Sequence, residues 1–478
     1  MPYKDLRDFI DRLKKEGELW EIEAEVDPHL ELGAICRKTL NEKSPALLFK
    51  NVKGYSRPVF ANMLGTRRRL ALAMETPEEN LLKKYVERTS VSLAIPTPLV
   101  ADGPCKEVKV ALGSFDLKQL IPQILSNPDD GGPFINYGLV ICKDPDTGIR
   151  NMGIYRFQMR EGKTRTGLWS RQPQHLAVIL SKYGAMNKPM EIAIAIGADP
   201  LLYIASQVRE LPLDTDEIAL ASAMKGEPVE LVKCETNDLM VPATSEIVIE
   251  GEIRPHERVE EGPFGEFTGF RTTERGGRPL HRIKAITHRN NPILSMSCMG
   301  MPCDEYAALV SVTLSGEMLQ ILRQNGIPVR GVCVHPWGNT LSTIVSTKVP
   351  YANVAHQISS MIWGSKAGVY VHWIIVVDEN VDPWNLEDVF HAVVFQCNPQ
   401  DGIHVYKRTL GMTLDPFLTP HDRAYGLGKS ALLDATFPWE WEMKPIRVTI
   451  DNPQIYPEHI QQKVKGLWVK EYGYKEKY

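Results

Sequence analysis

Along these 478 residues the hydrophobic rhythm changes twice, and that constrains the fold more than any single motif does. Near the start, Leu6, Phe9, Ile10 and Leu13 follow the i, i+3, i+4, i+7 spacing of a helix that Gly17 closes. A strand-like run over 18–26 follows. Asp27 and Pro28 then supply an N-cap and an N1 proline for a helix over 32–40, and 45–52 is another strand candidate. Strands alternating with helices over 1–115 predict an α/β layer. From 116 to 310 the strand candidates cluster instead, at 134–142, 151–159, 245–253, 281–289 and 292–298. Helical pattern there shrinks to 173–184 and 215–225, which predicts a β-rich, barrel-like domain. Over 311–445 alternation returns: a helix near 314–325 ended by Gly326, strands at 329–336 and 341–348, a helix near 351–363, a strand at 371–378, and a helix opened by Asp382 and Pro383. The segment 446–478 carries the amphipathic, charged stretch HIQQKVKGLWVKEYGY and is expected to be a helical tail. The fold class expected is therefore mixed α+β, with two α/β regions flanking a β-rich one.

Composition excludes several function classes. Apolar residues make up 43% and charged residues 24%, enough for a large core without disulfides. The eight cysteines form no CxxC pair, which points to reduced thiols in a cytoplasmic protein rather than a zinc or disulfide framework. The first residues, MPYKDLRDFIDRLKKEGEL, contain no apolar stretch of the signal-peptide kind, and no run of 18 apolar residues occurs, so no membrane partner is expected. A net charge of −4 argues against nucleic acid; the one tight basic run, Arg67 to Arg69, suits a solvated helix face.

Three groups of residues could carry chemistry. Glu261-Gly-Pro-Phe-Gly-Glu266 places a carboxylate at each end of a tight turn, able to aim two acids into one cavity. Two acids beside a turn suit a solvated surface equally well. Arg156, in NMGIYR on an apolar strand, is costly there unless paired, and its fork fits either a structural carboxylate or that of a substrate. Asn151, His175 and Glu217 together offer amide, imidazole and carboxylate donors for a Mg- or Mn-type cation, although a histidine opening an apolar helix is commonly just packed or capping. No GxGxxG opening a helix, GxxxxGK[ST], GxSxG or HExxH competes.

The order of short segments resembles one family nearly end to end: YKDLRDFIDRLKKEGEL, VDPHLE, PALLFKNVKGY, NMGIYR, GEPVELVKCETNDLMVPATSEIVIEG, EGPFGEFTG, STKVPYAN, VVDENVDPWNLEDV and GLGKSALLDAT. This is similar to the UbiD-type decarboxylases. The resemblance implies a split-barrel flavin-binding domain over 116–310 and an oligomerisation domain over 311–445. The activity it implies is reversible, non-oxidative decarboxylation of an aromatic, heteroaromatic or α,β-unsaturated acid, through a covalent adduct with prenylated FMN. Such a cofactor meets a physical need, because the carbanion left when an sp² carbon loses CO2 is beyond any side chain's power to delocalise. By resemblance Arg156 holds the substrate carboxylate, Glu261 orients Arg156, and Glu266 returns the proton. Asn151, His175 and Glu217 match positions that hold Mn2+ on the cofactor phosphate, with K+ as an optional addition. Ile154, Tyr155, Arg156, Leu168, Gln174 and Lys348 match cofactor contacts. A flavin prenyltransferase as cofactor supplier and a homo-oligomer, dimer or hexamer, are the partners implied. Two other readings stay open at this level: a flavin-carrying subunit of a multi-subunit carboxylase, and a glycoside hydrolase using Glu261 and Glu266 as its pair. Catechol-acid members of the family carry a histidine where this chain has Asn339, and an amide is a poor proton shuttle, which disfavours protocatechuate-type acids.

Overall fold

Leu6, Phe9, Ile10 and Leu13 are all buried on the helix Leu6–Lys15, which Asp5 caps and beyond which Gly17 takes φ 72°. A computed structural model of the chain describes residues 3–89, 95–111, 116–160, 163–166, 174–273, 275–301, 303–441, 456–468 and 471. The N-terminal sheet runs in the order Leu19–Ile22, Ala46–Phe49, Val59–Ala61, Leu294–Met296. Its last strand arrives from the far end of the central segment and pairs in parallel with Val59–Ala61. Asp27 and Pro28 do not open the next helix. The Asp27 carboxylate accepts the His29 N–H in a local turn, Leu30 takes φ 72°, and the helix runs Glu31–Asn41. An aspartate that bonds its own backbone two residues on is no longer free to cap.

The central sheet is antiparallel throughout, in the order Ile247–Glu261, Met190–Ile196, Phe134–Lys143, Arg150–Arg160, Lys163–Thr166, Arg275–His288, Val108–Ala111. Its two longest strands, Ile247–Glu261 and Arg275–His288, also pair with each other, so the sheet curls back on itself. Register slips after Glu250 and again between Ile253 and Arg258 supply the bending that such curling needs. Val140, Phe157, Ile192, Ile194, Ile249 and Ile286 fill one side of this sheet. The strand Met190–Ile196 is absent from the sequence-level expectation, because MEIAIAI interleaves isoleucine with alanine just after a helix and fits either period.

The third sheet has the order Val329–Cys333, Ser342–Thr347, Trp373–Asp378, Leu427–Ala435, Ile403–Leu410, parallel in its middle and antiparallel at both edges. The helix that leads into it is Glu305–Gln324, capped by Asp304, and so begins well before the expected 314. Its first turns are buried at every residue but Tyr306, which erases the periodicity that would announce them. Likewise Asn385 caps the helix Leu386–Gln396, where the sequence points to Asp382 and Pro383. In the tail, the helix Glu458–Leu467 buries none of its residues in this chain. No described helix is long and apolar enough to cross a membrane.

Burial pushes three acids at this helix upward, Asp304 to about 6, Glu305 to about 8 and Glu317 to about 7. Each binds its proton more tightly folded than unfolded. Their stabilising effect is complete below the ordinary carboxylate range and is lost as pH rises through 6 to 8. The midpoint of thermal unfolding is therefore expected to fall across that interval. Glu305→Gln keeps an acceptor for the Leu64 N–H, now 2.8 Å from the carboxylate, and should flatten the fall. Parallel melting curves of the two proteins from acid to alkaline pH check this; identical slopes would contradict it.

Candidate active site

Arg156 lies on the strand Arg150–Arg160, beside the register slip between Ile135 and Gly138 of its neighbour. Its guanidinium grips Glu261 in a two-pronged contact, Nε to Oε1 at 2.7 Å and Nη2 to Oε2 at 3.1 Å, and its Nη1 donates to Oε1 of Glu266. That contact fixes the guanidinium plane. Glu261 is 1% and Glu266 3% exposed, so neither is a solvated surface acid. Glu261 ends the strand Ile247–Glu261, and the turn between the two acids is clamped from below. The Gly262 N–H donates to Gln158 Oε1 at 3.2 Å and the Gly265 N–H to Asp130 at 2.7 Å. Gly262 has φ 94°, and a Cβ on Gly265 would lie 2.4 Å from the Asn127 amide, so neither position tolerates a side chain. The Phe264 ring sits 4.5 Å from the guanidinium carbon of Arg156. Arg156, Glu266, Phe264, Phe267, Met299 and Leu414 face a common cleft of about 880 Å3, part of it open to solvent.

A second cluster forms near the start of the same strand. Asp216 caps the helix Glu217–Lys225 and receives Arg150, which sets Glu217 on the first turn. Glu217 accepts the Asn151 amide at 2.7 Å and the Met152 N–H at 2.9 Å. His175 opens the helix His175–Ala185 with Nδ1 3.9 Å from the Glu217 carboxylate, and the ammonium of Lys366 stands 2.6 Å from His175 Nε2. Desolvation holds Lys366 below the usual lysine range. These residues, with Gln174 and Tyr155, border a crevice of about 760 Å3. One carboxylate, one imidazole and one amide make a hard donor set that suits a divalent cation of Mg or Mn type. Gln174 makes no side-chain capping bond; the Ala177 and Val178 N–H groups donate to its carbonyl, and the His175 and Leu176 N–H groups have no partner among the described residues. Ile154, Tyr155, Gln174 and Tyr306 line both cavities, which therefore adjoin.

Arg156, Glu261 and Glu266 thus come together, as do Asn151, His175 and Glu217, with Ile154, Tyr155 and Gln174 between them. Leu168 lies outside the described residues. Lys348 is not in this company: its half-exposed side chain lies 3.8 Å from Glu379 and lines neither cavity. The lysine at the cluster is Lys366, in the turn after the helix Val354–Gly364, where nothing in the sequence marks it. Asn339 is buried in a short helical turn and lines neither cavity.

Comparison with known proteins matches residues 10–89, 99–302 and 307–435 to the N-terminal, Rift-related and C-terminal domains of 3-octaprenyl-4-hydroxybenzoate carboxy-lyase. The chain belongs to the UbiD family. It is 34% identical over 453 residues to phenolic acid decarboxylase of Bacillus subtilis, covering 92% of this chain and 93% of that one. It resembles vanillic acid decarboxylase of Sedimentibacter hydroxybenzoicus in its closed form with a TM-score of 0.87 at 30% identity, covering 98% and 99% of the two chains. The UbiD-class enzyme HmfF of Pelotomaculum thermopropionicum, solved with FMN, gives 0.84 at 31% identity and covers 95% and 99%. An evolved dimeric form of it, solved with prFMN, gives 0.81 at 30%, covering 96% and 99%. This UbiD-family chain is accordingly a carboxy-lyase of mixed α/β fold.

Proposed function

We propose that the chain catalyses the reversible, non-oxidative decarboxylation of an aromatic or α,β-unsaturated carboxylic acid with prenylated FMN as cofactor. One observation carries the reading: the two clusters lie along a single strand, one near its start and one at its middle, beside adjoining cavities. Five residue steps of extended chain take Asn151 to Arg156, roughly 17 Å at 3.3 Å per step. A nucleotide laid along the strand would have its phosphate at one end and its ring at the other. Asn151, His175 and Glu217 would hold a Mn2+ ion against that phosphate, and Lys366 with the open N-terminus of the His175 helix would add positive potential. Bound there, prenylated FMN supplies the electron sink that decarboxylation at an sp² carbon requires.

The residues at the ring end divide the remaining work. Arg156 binds the substrate carboxylate, and Glu261 holds the guanidinium plane through its two-pronged contact. Glu266 carries the proton delivered to the carbon that loses CO2, and its contact with Arg156 keeps it beside that carbon. Phe264, Phe267 and Leu414 exclude water while the carbanion character persists. The relatives named as phenolic and vanillic acid decarboxylases support an aromatic acid as the substrate class.

Protein made together with a flavin prenyltransferase is expected to release, by mass spectrometry, an FMN heavier by one five-carbon unit. That protein should decarboxylate members of an aromatic-acid panel, while protein made without the partner should not. Equal activity of flavin-free protein would overturn the proposal.

A further inference from the structure

We infer that Tyr306, oriented by Arg209, determines substrate specificity by donating a hydrogen bond to an oxygen substituent on the ring of the acid. The inference rests on the decarboxylase reading above and assigns a role to two residues that have none in it. Tyr306 lies on the first turn of the buried helix Glu305–Gln324 and lines the reaction cleft together with Arg156 and Glu266. Its ring is tilted against Phe267 at 4.9 Å, which fixes the direction of the phenol. Arg209 Nη2 donates to the Tyr306 oxygen at 3.1 Å. A guanidinium has only donors, so the phenol oxygen must be the acceptor in this bond. The hydroxyl hydrogen is therefore directed elsewhere, and no acceptor for it stands among the described residues. Tyr306 is half-buried and lines both the reaction cleft and the adjoining crevice, whereas Arg209 lines the crevice, so the free donor stands at the junction of the two, where the ring of a substrate would meet the cofactor.

The support beneath Arg209 is rigid. Both the Arg209 and the Glu210 N–H groups donate to the buried Glu317 carboxylate, at 3.0 Å each to Oε1 and Oε2 respectively. The apolar part of the cleft wall is Phe264, Phe267, Met299, Leu309 and Leu414, which offer van der Waals contact only, while Asn136, Tyr137, Tyr155, Gln174 and Ser297 complete the lining. A ring held by these walls, with its carboxylate on Arg156, can present a hydroxyl or alkoxy oxygen to Tyr306. A methyl group in the same place would leave the donor unpaired, which is how polar sites reject near-isosteres.

The test uses the flavin-loaded protein and two acids, 4-hydroxybenzoate and 4-methylbenzoate, or their 3-methoxy counterparts. Dissociation constants come from flavin fluorescence, and decarboxylation is assayed beside them. Wild type should prefer the oxygenated acid, and Tyr306→Phe should cut the ratio of the two constants about three- to tenfold, the worth of one neutral hydrogen bond. Arg209→Met should lower the same ratio in the wild-type background and leave it unmoved in Tyr306→Phe. That coupling is expected of a positioning residue and not of a merely structural one. An unchanged ratio in Tyr306→Phe, or additive losses in the double variant, would overturn the inference. Discrimination in binding without decarboxylation of any acid would instead overturn the decarboxylase reading and leave Tyr306 in its role.

Discussion

Glu266→Gln protein is expected to keep its modified flavin, bind the acid, and turn it over about 10²- to 10⁴-fold more slowly than wild type, the usual cost of removing a positioned general acid. Glutamine preserves size and can still accept the Arg156 N–H, so the loss isolates the proton. Arg156→Lys should fail differently. Lysine cannot reproduce the two-pronged contact with Glu261, so the substrate constant should rise along with the fall in turnover. Steady-state kinetics on both variants, normalised to flavin content, separates the two outcomes. A Glu266→Gln enzyme within a few-fold of wild type would remove that residue from the proposed chemistry.

Glu217→Gln should deplete metal and flavin together, each by about tenfold or more relative to wild type. The carboxylate is 4% exposed and is the one formal negative charge in the proposed ion site, with Lys366 and His175 arrayed beyond it. Glutamine retains an acceptor for the Met152 N–H, so the strand should stay in place while the charge is lost. A buried phosphate facing an incomplete ion site is costly, which couples the two losses. Elemental analysis beside flavin absorbance of the same sample reads both, and a chelator applied to wild type should mimic the variant. Full flavin occupancy in a metal-poor Glu217→Gln protein would contradict the arrangement.

Much of the fold is legible in the sequence where burial is one-sided. The helix Leu6–Lys15 shows its four core residues at helical spacing because its other face is solvated. The helix Glu305–Gln324 hides its first turns because all of their residues but Tyr306 are buried, and Met190–Ile196 hides in the same way in strand form. Capping aspartates mislead when a nearer bond competes, as at Asp27 with His29. At the site, Arg156 in NMGIYR and the acid pair in EGPFGE stand out because local motifs carry them, whereas Asn151, His175 and Glu217 are scattered along the chain and are placed together by the family resemblance. Lys366, Arg209 and Tyr306 sit in turns and on a helix start without such motifs, and only the tertiary fold brings residues so far apart in sequence to the cleft and its crevice. Lys348 shows the opposite failure: a familiar segment, STKVPYAN, places a lysine by likeness, while the geometry turns it to the surface beside Glu379.

The proton's route can be followed without CO2 at all. Flavin-loaded wild type, incubated in deuterated water with the decarboxylated product of an acid it consumes, is expected to exchange the hydrogen on the carbon that had carried the carboxylate, because protonation by Glu266 is reversible. Nuclear magnetic resonance of the product ring or vinyl signal reads the exchange directly. Wild type should exchange that one position, and Glu266→Gln should leave it untouched. Exchange in Glu266→Gln at the wild-type rate would contradict the assignment and hand the proton to Glu261 or to a water in the cleft.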